Sequence, residues 1–440
     1  MKSTYPWFYD KTEIESCKKR RTQLLQSTGK ALVIAPAGPA HHLVPYRAAS
    51  DFYYLTGLDV AGSILVLDPR SKEQTSILFM PELSDRERQW DGPRPDFPEA
   101  KDAYGLDSAL PLKRFPDFLE GALASYTEIY WVPGVDPLVD HQVIQQWSKR
   151  SAPIAVKNGV PACLHDLRPV LAPQRLIKDA VELERLRKAA EIGAAGHVAA
   201  MKATKPGMDE RQIQALIEKA FFDLGADAPS FPTIAAGGTN ATVLHYIANN
   251  QRLPEDGLLL VDAGARWNRY CSDITRTFPV NGKFSTAQKD LYNVVWKAQQ
   301  AVFAIAKPGK SFELLQKTAI KTLSEGLIDL KIVKGSLDEV IETELYKPFY
   351  MHGIGHSVGL DVHDPTPSKV DGRRLAKLEE NIVMTVEPGL YIPRSTTKGP
   401  KAFRGLGVRI EDDILITSKG CEVISGGDNE CDRIEGFVHC

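Results

Sequence analysis

The stretch 258–279, LLLVDAGARWNRYCSDITRTFP, constrains the fold of this chain more than any other. An apolar run, a short polar break and a second β-prone run follow one another, with one aspartate in each arm. If the arms pair as an antiparallel hairpin about Trp267 and Asn268, Asp262 lies opposite Asp273. Side chains across a ladder share a face, about 5 Å apart. Two carboxylates that close resist ionising together unless a cation lies between them. The stretch reads either as a metal bridge or as two surface aspartates on a hairpin. Alone it does not choose.

A chain of 440 residues has room for about two to three domains and a large core. Its 54 Lys and Arg balance 56 Asp and Glu, so no charge footprint for nucleic acid or a membrane surface is expected. The N-terminal residues lack an apolar segment of signal-peptide length, and no run of 18 apolar residues follows, which predicts a cytoplasmic protein. Six cysteines in a chain this long make no disulfide framework. Cys421, Cys431 and Cys440 lack the CxxC spacing of a zinc knuckle, so reduced thiols are expected.

The first third alternates strands and helices. ALVIA (31–35), FYYLTG (52–57), SILVLDP (63–69) and TSILFM (75–80) predict buried strands, and 13–26 and 137–149 predict helices. Two prolines in LRPVLAP (167–173) predict a break in regular structure. The division is therefore an α/β domain over 1–172 and a second domain over 173–440. The second opens with a helix over 179–202 that ends at Lys205-Pro206-Gly207, and another helix follows to about Leu224. The arrangement recurs: a helix over 286–306, Lys307-Pro308-Gly309, and a helix over 311–327, which suggests an internal duplication. PGKS in the second copy lacks the first glycine of a phosphate loop and follows no strand, so nucleotide binding is rejected. Segments 231–246, 350–362, 381–392 and 406–417 read as strands, and Gly426 onward reads as a polar tail.

Four of these strand-like segments carry ionisable groups in apolar surroundings. MHGIGHSVGLDVHD holds His352, His356 and His363; its glycines argue against a helical HExxH site, and hydrogen-bonded core histidines are the competing reading. IVMTVEPGLYI ends an apolar run with Glu387, which needs a cation, a set of donors or a turn role. In GLGVRIEDDILIT, alternation puts Arg409 and Glu411 on one face and Val408 and Ile410 on the other. ATVLHYIAN carries His245, which alone reads as a core histidine. Together, Asp262, Asp273, Glu387 and Glu411 with at least one imidazole would be balanced by two divalent cations and a bridging hydroxide. Such donors suit Mn²⁺, with Co²⁺ or Zn²⁺ as alternatives. Two ions about 3.5–4 Å apart can generate a nucleophile and stabilise the oxyanion that follows. Cys271, two before Asp273, is a packed side chain or an extra ligand.

Asp262 and Asp273 with ten residues between them, His356 in HGIGH, Glu387 in VEPG and Glu411 in VRIEDD resemble, in order, the five metal ligands of the pita-bread metallopeptidases. The resemblance covers roughly 176–417. FYYLTG, the RQWDG stretch with Trp90, GLDVHD and FRGLGVRIEDD resemble the aminopeptidase P branch, which has a separate N-terminal domain. Ser357-Val358 depart from bulkier residues in some members, which leaves the finer side-chain preference open. The resemblance implies an α+β fold: a pita-bread catalytic domain with an internal pseudo-twofold, preceded by a smaller α/β, creatinase-like domain. It implies removal of the N-terminal residue from peptides with proline in second position, with prolidase (Xaa-Pro dipeptidase) as the alternative and a non-catalytic peptide-binding protein as a third reading. By resemblance Asp262 and Glu387 lie on opposite metals, Asp273 and Glu411 bridge, and His356 binds one ion. His245 and His363 hydrogen-bond substrate, Arg409 and Tyr391 orient substrate or ligands, His352 lines the proline site, and Trp90 reaches a neighbouring subunit's site in a dimer or tetramer.

Overall fold

A computed structural model of the chain describes residues 11–40, 45–150, 163–366, 377–426 and 434–435. The chain forms two compact units, Met1–Gln174 and Arg175–Cys440, beside the division at 172/173 expected from sequence. Cys431 and Cys440 lie outside the described residues.

The first unit is a six-stranded mixed sheet. Its strands are β1 (Leu32–Pro36), β2 (Ile64–Leu67), β3 (Ser76–Met80), β4 (Ser108–Pro111), β5 (Glu128–Trp131) and β6 (Cys163–Asp166), in the order β4-β3-β2-β1-β5-β6. The β1–β2 and β2–β3 pairs are antiparallel and the other three are parallel. Helices α1 (Lys11–Thr28), α2 (Ser50–Thr56), α3 (Asp85–Asp91), α4 (Phe97–Ala103), α5 (Phe115–Leu123) and α6 (Pro137–Arg150) accompany it. The expected strand at 52–57 is the helix α2. Phe52 to Thr56 are all buried, and a short run buried all round carries no period to separate helix from strand. Gly57 closes α2 at φ 71°, and Arg20 and Arg21 of α1 donate to the carbonyls of Tyr54 (3.1 Å) and Leu55 (2.7 Å). Those contacts satisfy carbonyls that a helix end leaves orphaned.

The break expected in LRPVLAP is also a helix, α7 (Arg168–Leu176). Pro169 occupies the first turn, where its missing N–H costs nothing, and only Pro173 removes an internal bond.

The second unit repeats one plan. Helices α8 (Ala180–Ala203) and α9 (Glu210–Asp223) precede β7 (Ala228–Pro229), β8 (Ile234–Gly237), β9 (Leu258–Asp262), β10 (Ala265–Trp267), β11 (Tyr270–Cys271) and β12 (Thr275–Pro279). Helices α10 (Thr286–Ile305), α11 (Phe312–Asp329) and α12 (Leu337–Glu342) precede β13 (Val383–Val386), β14 (Gly389–Tyr391), β15 (Gly407–Arg409), β16 (Asp412–Ile416) and β17 (Cys421–Val423). Both Pro-Gly links work alike. Gly207 (φ 79°) and Gly309 (φ 84°) take the left-handed conformation glycine allows, and their N–H groups reach the carbonyls of Leu253 (3.2 Å) and Leu378 (2.8 Å). Asp179 with Glu182 and Ser285 with Gln288 form capping boxes on the first helix of each copy. Each copy then builds a three-stranded sheet, β12-β9-β8 and β13-β16-β17. A bridge between Thr275 and Glu411 joins them. This is the pita-bread arrangement with its internal pseudo-twofold.

Several expected strands are shorter than their apolar runs. In 231–246 only β8 is strand, and His245 lies in a turn beyond a 3-10 segment (Gly238–Thr242). The described residues of 350–362 contain no strand; Ser357 alone bridges to Asp364 and Met384. Glycines at 353, 355 and 359 explain this, because they weaken a ladder and permit close backbone approach. The polar tail is also corrected in part: Ile434 is fully buried in the main core.

Candidate active site

The hairpin of 258–279 forms, with its centre one residue later than expected. Trp267 faces Tyr270 and Asp262 faces Thr275, so Asp262 is not directly opposite Asp273. Asn268 (φ 44°) and Arg269 (φ 76°) both hold the positive φ of a tight primed turn. Nothing in an arginine's propensities marks it for the second left-handed position. The resulting slip is two residues, and a strand's period of two returns Asp273 to the face of Asp262 as its diagonal neighbour. Gly264 lets the arms close there, since a Cβ on it would lie 1.7 Å from the Ser272 carbonyl oxygen.

The second copy supplies the matching pair. Glu387 follows β13 and Glu411 precedes β16, just as Asp262 ends β9 and Asp273 precedes β12. Val386 faces Asp412 in that ladder. The pseudo-twofold thus points one carboxylate from the end of an outgoing strand and one from the start of a returning strand in each half. All four, with His356, line a cavity of about 920 Å³. His245, His352, His363 and Arg409 line it too, with Phe231, Pro232, Ile234, Leu244, Ile247 and Val362 forming an apolar wall.

Among the described residues, Asp273, His356 and Glu411 bring ligand atoms within 4.8 Å of one another. His356 Nε2 is 3.4 Å from Asp273 Oδ2 and 3.7 Å from Glu387 Oε1. Its Nδ1 lies 3.1 Å from the Ser357 carbonyl, which fits an Nδ1–H donor and leaves the Nε2 lone pair facing the carboxylates. Arg409 Nη2 donates to Asp262 Oδ2 at 2.6 Å, while Asp262 Oδ1 is buried without a hydrogen-bond partner. Thr275 donates to Glu411 Oε2 (2.7 Å), and the Asp273 N–H donates to Asp413 Oδ2 (3.0 Å).

Burial, then Asp262, Asp413 and Glu387, push Asp273 well above the carboxylate range; burial, then Asp273, does the same to Glu411. Burial raises Glu387 to about 7 against the pull of His356 and Arg409, and raises Asp413 to about 7. Burial alone would lower the Arg409 guanidinium, but Tyr391, Asp262 and Glu411 outweigh it. So many buried carboxylates, facing the Arg409 guanidinium and with an orphaned oxygen on Asp262, call for additional positive charge. An oxygen-rich set with one imidazole fits divalent ions of the hard-to-borderline class. Cys271 is packed, its Sγ 3.6 Å from the Leu360 carbonyl, and does not join the ligand group.

The remaining expected residues fall into three places. His352 Nε2 is 2.9 Å from the Tyr391 hydroxyl, which accepts from Arg409 Nη1 at 3.0 Å. Burial lowers His352 to about 4 and raises Tyr391 to about 12. His363 packs edge-on to His356 with ring centres 4.1 Å apart. Trp90 belongs to the first unit, on α3, where the residue is 75% exposed with Arg86 over its ring.

Sequence reasoning missed four supports. Asp413 follows Glu411 by two and so shares its face, a signal that alternation offered. Asp364, beside His363, receives Lys178 Nζ at 2.8 Å and Arg175 Nη2 at 2.5 Å, all three side chains being almost wholly buried. Those partners stand 186 and 189 positions away. No local pattern could have joined them.

Residues 184–418 match metallopeptidase family M24, and residues 17–130 match the aminopeptidase P N-terminal domain. The chain is 35% identical over 414 residues to an Xaa-Pro aminopeptidase of Escherichia coli, covering 93% of each. It is 36% identical over 381 residues to one of Haemophilus influenzae, covering 87% of this chain and 85% of that protein. Among solved structures it is similar to Pseudomonas aeruginosa aminopeptidase PepP, with TM-score 0.90, 35% identity and coverage of 97% and 98%. It is likewise similar to a zinc-substituted Escherichia coli aminopeptidase P in complex with product (TM-score 0.89, 34% identity, 97% and 98% covered).

Proposed function

Because the chain belongs to metallopeptidase family M24, we propose that the cavity in its second unit is the active site of an Xaa-Pro aminopeptidase, a metallo-exopeptidase that releases the residue preceding a penultimate proline. The single observation carrying this reading is the convergence of Asp262, Asp273, His356, Glu387 and Glu411 on one cavity, within a chain similar over both units to Xaa-Pro aminopeptidases. That two-unit similarity sets prolidase aside, and the complete ligand set argues against a non-catalytic binding protein.

We infer two ions, with Mn²⁺ the best match to these donors. Asp273 and Glu411 would be shared, His356 and Glu387 would serve one ion, and Asp262 the other. When bound, the ions supply an acidic water and polarise the peptide carbonyl. The protein's own groups do the rest. Glu387, bordering the reacting position, accepts and returns the proton. His245 and His363 hydrogen-bond the substrate and steady the oxyanion. Arg409 fixes Asp262 and, with Tyr391, holds His352 against the apolar wall that would take the proline ring. Proline offers no N–H, so recognition there rests on shape and apolar contact. Among the described residues no helix is long and apolar enough to cross a membrane; a cytoplasmic homo-oligomer, with Trp90 reaching a neighbouring site, completes the proposal.

The test is a peptide panel with Mn²⁺ supplied: Xaa-Pro-Yaa, its C-terminally amidated form, Xaa-Ala-Yaa and the dipeptide Xaa-Pro. Release of the first residue from both proline tripeptides and not from the alanine peptide is expected. Activity confined to the dipeptide would restore prolidase.

A further inference from the structure

His245 reaches the cavity from a segment with no ladder of its own. Beyond the 3-10 turn ending at Thr242, residues 243–250 form neither helix nor strand. Both ends of that segment converge on one carboxylate. Glu210, the first residue of α9, is completely buried. Its Oε1 accepts from the Gly237 N–H and the Asn240 side-chain amide, each at 2.8 Å. Its Oε2 accepts from the Tyr246 hydroxyl at 2.8 Å and the Gln251 N–H at 2.9 Å. The Glu210 N–H in turn donates to the Gln251 carbonyl at 2.9 Å. All four donors to the carboxylate are neutral groups of one loop, 237–251. A buried carboxylate is tolerated when several donors converge on it. Here that requirement becomes a clamp, because one side chain closes a loop of fifteen residues at its entry, its exit and next to its tip.

We propose that Glu210 is a positioning residue for the peptidase reaction, acting through Tyr246 to fix His245 at the cavity. This rests on the reading of His245 as a substrate-contacting group. Tyr246 turns its hydroxyl inward to Glu210, whereas His245 and Ile247 on either side of it line the cavity. Rotation or drift of Tyr246 would move both. Asn249 reinforces the exit: it accepts from the Ala235 N–H (2.9 Å) and donates to the Thr233 carbonyl (2.7 Å). Glu210 lies in none of the ligand segments, so its loss should leave metal binding intact.

The experiment uses metal-loaded full-length enzyme with E210Q, Y246F, H245A and the doubles of H245A with each. A glutamine strands at least one donor by presenting N–H₂ where the carboxylate accepted. E210Q should lower kcat/KM roughly hundredfold and Y246F about tenfold, with bound metal per chain unchanged. In the H245A background both should add almost nothing, a coupling that general loss of structure would not produce. Multiplicative effects in the double variants, or wild-type activity for both single variants, would overturn the proposal. Should E210Q fail to fold, Y246F carries the same cycle. If H245A itself leaves activity unchanged, the reading of His245 has failed. The clamp is then judged by amide exchange: faster exchange confined to 243–251 in Y246F upholds it, and unchanged exchange overturns it.

Discussion

At the scale of single residues, the site is an accumulation of buried carboxylates, and that sets how it responds to acid. Glu387 and Asp413 are raised to about 7 in the metal-free fold, against about 4 for an unfolded carboxylate. A raised folded pKa means the folded state holds the proton more tightly. The stability it confers is therefore present below about pH 4 and lost as pH rises through about 7. Bound cations replace those protons, so metal affinity grows over the same interval. His197, buried and lowered to about 3, acts in the opposite sense, but it does so with or without metal. The gap in melting temperature between Mn²⁺-loaded and chelator-treated protein should therefore widen from pH 5 to pH 8; a constant gap would show that no carboxylate exchanges a proton for metal. The Asp364 cluster gives a second expectation. D364N takes the carboxylate from the fully buried Lys178 while Arg175 keeps Asp361 at 2.8 Å; removing one partner of such a buried pair costs about 3–5 kcal/mol, measurable by denaturant unfolding. The five proposed ligands stood out in sequence as ionisable groups in or beside apolar runs, and the resemblance singled out His356 among the three histidines of its segment. Lys178, Asp364 and Glu210 did not stand out, because their partners meet only in the folded chain.

At the scale of elements, the hairpin carries the argument. Its reading survived an error of two in register only because two is the period of a strand. An error of one would have turned Asp273 to the opposite face. Inserting one glycine between Asn268 and Arg269 should therefore abolish metal binding, while inserting two should retain part of it, as metal analysis of the purified variants would show. G264A should also lose metal and stability, since its Cβ would strike the Ser272 carbonyl. The helices α8 to α11 were legible from the two helix–Lys-Pro-Gly–helix units. The misreadings have physical causes: α2 is buried all round, α7 tolerates its first proline in an opening turn, and the glycines around His356 replace a strand with close-packed loop.

At the scale of the molecule, the duplicated plan explains why the proposed ligands, from residues 262 to 411, line one cavity. Each half ends one strand and starts another beside the bridge between Thr275 and Glu411, and each half contributes two carboxylates. The repeat was visible in sequence as two helix–Pro-Gly–helix units, but which strand ends faced one another was not, because that depends on how the two sheets join. The account's central claim is that the ligands gathered there hold two ions on which removal of a residue before proline depends. One titration tests it most directly: chelator-stripped protein receives Mn²⁺ while bound ions per chain and turnover of an amidated Xaa-Pro-Yaa peptide are followed together. Turnover should be absent in stripped protein and reach its plateau as occupancy reaches two. Undiminished turnover after stripping, or two bound ions with no release of the first residue, would contradict the account.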